Sequence, residues 1–159
     1  MSVTSVDVDY DTLTITLVAD FDAPVEQVWE LWVDPRKLER WWGPPAHPAT
    51  FKKHDLTPGG TSTYLMTGPE GAIWGAWQTT AVDPGISLEF INAFADSEGT
   101  PVADMPVSTV SVLLTERDGG TRMEMCSRFA SRDDMGRMVT MGTVDGVQRA
   151  VGQIDGLLA

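Results

Sequence analysis

Basic side chains are scarce in this sequence: 11 lysines and arginines stand against 23 aspartates and glutamates, for a net charge of -12. A chain so acidic repels phosphate backbones and anionic lipid headgroups, which argues against nucleic acid as a partner. Cysteine is nearly missing. Cys126 alone excludes an internal disulfide and supplies no thiolate cluster for zinc, in keeping with a reducing compartment. Long apolar runs are absent too; nowhere do about eighteen apolar residues follow one another, so no membrane insertion is expected. The start, Met1 to Asp11, carries three aspartates and no basic residue, the reverse of a secretory leader, and a cytoplasmic protein is the expectation.

The chemistry-bearing patterns are sparse as well. Histidine occurs only at His47 and His54, with no HExxH spacing and no nearby carboxylate cluster, so no metal site is expected. No serine sits in a G-x-S-x-G elbow. No glycine-rich turn has the G-x-x-x-x-G-K-[ST] or G-x-G-x-x-G spacing that cradles phosphates. No cofactor is expected.

What remains is a globular composition, 42% apolar and 21% charged, in a length that buries roughly two thirds of its unfolded surface. Residues Thr12 to Phe21 alternate, with Leu13, Ile15, Leu17, Ala19 and Phe21 on one face, as in a half-buried strand. Asp22-Ala23-Pro24 then offers a cap and an early proline for a short helix carrying Val25, Val28, Trp29 and Trp32. Pro35 opens a second helix that ends before Gly43-Pro44-Pro45. Six strands separated by turn residues follow: Thr50 to Leu56, Thr61 to Met66, Ala72 to Val82, Ser87 to Ala95, Ser108 to Glu116 and Thr121 to Phe129. Between the fourth and fifth of these, Asp96 to Pro106 forms a long loop.

Ser131 to Leu158 reads as one long helix, capped by Ser131 with Asp133 and Asp134 in its first turn. Its apolar arc holds Val139, Thr140, Thr143, Val144, Gly146, Val147, Ala150, Val151, Ile154, Leu157 and Leu158. Met138 and Met141 fall outside that arc, which points to a bend at Gly142 or to a partner. Gly142, Gly146 and Ala150 make a ridge of small residues suited to close packing or to leaving room for a ligand. The expected organisation is a flexible segment over residues 1–11 and one domain over 12–159. Its class is α+β: a curved, antiparallel, seven-stranded sheet around a long C-terminal helix, with two short helices between strands one and two.

Several local sequences are similar to one known family in the correct order. Phe21-Asp22-Ala23-Pro24-Val25-Glu26-Gln27-Val28-Trp29 resembles its entry into the first helix, and Asp34-Pro35 with Arg40-Trp41-Trp42-Gly43-Pro44 its second. Asp55-Leu56-Thr57-Pro58-Gly59-Gly60, Gly119-Gly120-Thr121-Arg122 and Met141-Gly142-Thr143-Val144-Asp145-Gly146-Val147 resemble a turn, the last hairpin and the final helix. The family is the START-like SRPBCC superfamily, with its birch-pollen-allergen-like helix-grip fold, in the branch of homologues of the activator of heat-shock-protein ATPase. The resemblance implies an apolar cavity between helix and sheet. Full chaperone activators resemble this chain in their C-terminal part only, their N-terminal chaperone-binding domain having no counterpart among these residues.

Alternation nominates the lining of such a cavity: Phe90, Asn92 and Phe94 with Leu88 on one strand, Met125 with Met123 and Ser127 on the last, Tyr64, Met66 and Trp74 on the middle strands. Trp32 and Trp41 from the helix pair, and Val139 and Thr143 from the terminal helix, complete the candidates. Plain core packing is the alternative for each. Asn92 is the polar residue in an apolar row and is suited to orienting a ligand by hydrogen bonding. The leading expectation is non-catalytic binding of a small apolar or amphipathic molecule, lipid- or polyketide-like. One alternative is a polyketide cyclase-like or hydrolase-like enzyme assisted by Asn92, Tyr64 or His54. Another is a chaperone-cofactor role with a heat-shock chaperone as partner. Its many tryptophans and methionines also make a homodimer plausible.

Overall fold

The computed structural model describes residues 3–158. Eight strands make one antiparallel sheet: β1 (Val3–Asp9), β2 (Thr14–Phe21), β3 (Ala49–Lys53), β4 (Thr61–Gly68), β5 (Gly71–Asp83), β6 (Ser87–Ala95), β7 (Val107–Arg117) and β8 (Gly120–Phe129). Their order is β1-β2-β8-β7-β6-β5-β4-β3. From β3 to β8 the chain meanders through hairpins, and β8 then closes on β2. The helices are α1 (Val25–Val33) and α2 (Pro35–Leu38) between β2 and β3, then α3 (Arg132–Thr140), α4 (Thr143–Gly152) and α5 (Ile154–Leu158) after the sheet. No helix among the described residues is long and apolar enough to cross a membrane.

Alternation decides which sheet face is core. On β2, Ile15, Leu17, Ala19 and Phe21 are buried and the residues between them are not. Register carries that face sideways: Leu17 lies opposite Met125 and Ala19 opposite Met123, while Val112 and Leu114 of β7 meet the same two methionines from the other side. This face and the helices packed on it form the main core, with Trp32, Trp41, Trp77 and Phe90 among its largest fully buried side chains.

Three sequence expectations need correction. The sheet has eight strands, not seven. The additional one is β1, whose Val6 and Val8 pair with Leu17 and Ile15 of β2, in the stretch before Thr12 where flexibility is expected. That stretch alternates too weakly to announce itself, because much of it is exposed. The first helix is capped by Pro24 without any side-chain bond, instead of by Asp22; the Pro24 carbonyl accepts from Gln27 and Val28.

The terminal helix is three segments instead of one rod. Gly142 takes φ 90°, a left-handed conformation that ends α3 and starts α4. The helical phase does not carry across such a break. Met135, outside the expected arc, is fully buried against Ile15 and Phe129, whereas Thr140, inside it, is exposed. Beyond the break the arc holds: Ala150, Val151 and Ile154 are buried. The Ser131 hydroxyl caps α3 by accepting from the Asp134 amide at 3.1 Å, as expected. The Gln153 amide ties α4 to the segment after α2 by donating to the carbonyls of Gly43 at 2.8 Å and Trp41 at 3.2 Å.

The loop from Asp96 to Pro106 is folded on itself. Asp96 accepts from the amides of Glu98 and Thr100, Ala95 bridges to Pro101, and the Arg137 guanidinium of α3 donates to the Asp104 carbonyl.

Candidate functional site

A cavity of about 450 Å³ lies between the core face of the sheet and the α3–α4 segments. Its wall is built from Tyr64 and Met66 of β4, Ile73 to Gly75 of β5, Asn92 to Phe94 of β6, Ser108 and Val110 of β7, and Met125, Ser127 and Phe129 of β8. Trp41, Trp42, Pro44 and His47 close one side. Met138, Met141, Gly142, Thr143, Gly146, Val147 and Ala150 cover the top.

Of the residues nominated by alternation, the structure brings Trp41, Tyr64, Met66, Trp74, Asn92, Phe94, Met125 and Thr143 together around this space. Trp74 belongs to the wall although its register with Leu65 and Ala95 sets its side chain on the other sheet face from Gly75. Trp32, Phe90 and Val139 do not line it. Trp32 and Phe90 are fully buried one layer deeper, Phe90 stacked on Trp77 with ring centroids 4.0 Å apart. Val139 packs with Met135, Ile15 and Phe129 in a separate small cluster.

Other lining residues escaped the sequence. Trp42 sits between the cavity and the aromatic core, edge-on to Trp77 at 4.8 Å and to Tyr64 at 6.0 Å. Met138 and Met141, outliers on a single straight helix, reach the cavity because the backbone turns at Gly142. The two glycines of the small-residue ridge leave room, since a Cβ added at Gly142 or Gly146 would meet nothing within 4 Å, whereas Ala150 is buried. Helical spacing revealed the ridge, but only the surroundings reveal which of its two uses applies.

The polar centre of the wall depends on one glycine. Tyr64 on β4 donates from its hydroxyl to Asn92 Oδ1 on β6 at 2.9 Å, although β5 runs between the two strands. The ring crosses at Gly75, where a Cβ would come within 2.3 Å of Tyr64 Cζ and 2.4 Å of its hydroxyl oxygen. Burial, the main influence, raises the Tyr64 pKa above its usual 10.0 and keeps the hydroxyl a donor; the neighbouring Trp42, Asn92 and Trp77 side chains offset this in part. Trp77 Nε1 nevertheless closes no hydrogen bond, nor does Trp32 Nε1, and each orphaned donor costs about 1–3 kcal/mol.

His54, weighed as a catalytic assistant, lies outside this wall. Its Nε2 donates to the Trp32 carbonyl at 2.7 Å, which leaves Nδ1 to accept from the Ser62 hydroxyl at 2.9 Å. The Ser62 oxygen in turn accepts from the Asp55 amide at 3.2 Å. Burial is the largest influence on the ring and lowers its pKa below 6.5, against the opposing pull of the Trp32 carbonyl, Asp55 and Asp34. The neutral imidazole is a fastener between the end of α1 and β4. The ionisable side chains on the cavity lining are Tyr64, His47 and Glu70, with His47 Nε2 3.6 Å from a Glu70 carboxylate oxygen that is largely in water. Among the described residues no group of three or more His, Cys, Asp or Glu side chains is placed to hold a metal.

Residues 22–159 match the family model described as Activator of Hsp90 ATPase homolog 1-like protein. The crystal structure of protein Ms6760 from Mycobacterium smegmatis is 48% identical and superposes with a TM-score of 0.92, covering 99% of this chain and 97% of that one. A solution structure of a protein from Arthrobacter aurescens is 46% identical at a TM-score of 0.94, with 99% and 92% covered. A Staphylococcus epidermidis protein, 22% identical at a TM-score of 0.84 with 98% and 93% covered, shares the fold. No curated protein matches the chain.

Proposed function

The chain belongs to the family of Activator of Hsp90 ATPase homolog 1-like proteins, and on that premise we propose that it is a receptor for a small apolar or amphipathic molecule held beneath α3 and α4. One observation carries this: Gly146, a helical position on the cavity lining, has open space where a side chain would stand. A helix packed for stability alone would fill it, since each interior glycine costs about 1 kcal/mol relative to alanine. The volume of about 450 Å³ also falls within the range of roughly 300–1,000 Å³ usual for small-molecule pockets.

Binding is favoured over catalysis by the distribution of charge. A hydrolase or cyclase needs an acid and a base converging on the reacting atoms. Here His47 and Glu70 pair with each other, Glu70 largely in water, and His54 is engaged elsewhere.

Thermal denaturation with polycyclic aromatics and neutral lipids tests the proposal. A ligand at 100 times its Kd stabilises by about 2.7 kcal/mol, and Gly146→Phe, which projects a ring into the cavity, abolishes the shift while the protein stays folded. Absence of any shift across such a panel, with no bound species in native mass spectrometry, refutes it. Stimulation of a chaperone ATPase that persists in Gly146→Phe instead supports the alternative suggested by the family description.

A further inference from the structure

The polar patch in the wall of the cavity constrains what the receptor takes, and this inference rests on the binding reading above. Asn92 Oδ1 is occupied by the Tyr64 hydroxyl. Because that hydroxyl is held protonated and spends its hydrogen on Asn92, the side-chain amide is oriented: its oxygen faces the tyrosine and its Nδ2 hydrogens are left over. They have no partner among the described residues, and Asn92 lines the cavity.

Directly opposite Asn92 across the β6–β7 ladder stands Ser108, itself buried and part of the same wall. Opposed side chains on one face of an antiparallel pair have Cβ atoms about 4.5–5.5 Å apart, close enough for both to address one ligand atom. An amide N–H and a hydroxyl so placed make a site for an acceptor oxygen.

Charge decides which kind of oxygen. No lysine or arginine lines the cavity, and its histidine, His47, already faces the one lining carboxylate, Glu70, at 3.6 Å. A ligand carboxylate would lose its hydration without gaining a counter-ion, beside an acidic side chain and inside a protein of net charge -12; such unpaired burial is strongly unfavourable. An uncharged carbonyl oxygen meets the same donors without that penalty. We propose that the cavity selects ring-bearing or acyl molecules carrying a neutral carbonyl, as a ketone, ester or amide, and discriminates against the corresponding free acids through Asn92 and Ser108.

Three forms of one skeleton test this at pH 7.5: anthracene, its methyl carboxylate ester and its free carboxylate, titrated against tryptophan fluorescence with calorimetry as a second readout. The ester is expected to bind about tenfold or more tightly than the carboxylate, and several-fold more tightly than the hydrocarbon, as one hydrogen bond of about 1 kcal/mol requires. Asn92→Leu is expected to erase the preference for ester over hydrocarbon, read as the ratio of the two affinities within the variant. Should Asn92→Leu fail to fold, Ser108→Ala and Tyr64→Phe address the same patch, the latter by unlocking the amide, and each reduces that preference. Equal affinity for ester and acid, or a preference that survives in the folded variants, overturns the inference and leaves the receptor reading standing. Failure of all three compounds to bind overturns the inference, and the receptor reading falls with it when the neutral lipids of the thermal panel give no shift either.

Discussion

His54 is the residue whose role is most sharply defined by its surroundings, and its chemistry has a measurable consequence. Its folded-state pKa is lowered, chiefly by burial. A base with a lowered pKa takes up protons more readily when unfolded, so stability is fully present above the unfolded value near 6.5 and declines as pH falls from there towards the folded pKa. Urea denaturation at pH 7.5, 6.5 and 5.5 is expected to show this decline, and His54→Gln to flatten it over the same window. An unchanged slope in the variant would assign the effect to other groups. Gly75 shows the converse: its value lies in an absent atom, because any side chain would stand where the Tyr64 ring crosses β5. Neither role follows from residue type. Both depend on partners remote in sequence, with Tyr64 and Asn92 28 residues apart.

At the scale of elements, the division of the terminal helix at Gly142 matters most. Glycine is required there for its left-handed backbone, whereas Gly146, four residues on, sits within a regular helix beside open space. The two alanine variants should therefore move stability in opposite directions. Gly142→Ala is expected to cost about 1 kcal/mol, the penalty of a side chain in left-handed backbone. Gly146→Ala is expected to gain up to about 1 kcal/mol, the usual helical advantage of alanine. Chemical denaturation of both variants checks the pair of signs; two gains would mean that the break at Gly142 is not required by the fold. The same break explains Met138 and Met141, which a single helical phase throws to the wrong side.

Across the whole molecule, β1 changes the expected boundary of the fold. Val3 and Val6 pack against the core, and the strand covers the outer edge of β2. Deletion of residues 1–10 should lower stability by about 2 kcal/mol or more, as withdrawal of two partly buried valines and an edge strand implies, and expose β2 to pairing with other chains. A melting temperature unchanged by the deletion would restore the flexible lead that the weak alternation there suggests.

The sequence by itself determined the local grammar. Alternation marked β2, turn residues bounded the strands from β3 to β8, proline opened α2, Ser131 capped α3, and the motifs fell in the order of one family. Most of the residues it nominated on the strands stand around the cavity, because a two-residue period assigns each side chain to a face. Only the tertiary structure decided how faces meet: that Ser108 stands opposite Asn92, that the Tyr64 ring crosses at Gly75, and that Trp32 and Phe90 lie beneath the wall instead of on it. Register and depth are properties of pairs of elements distant along the chain, and no periodicity within one element encodes them.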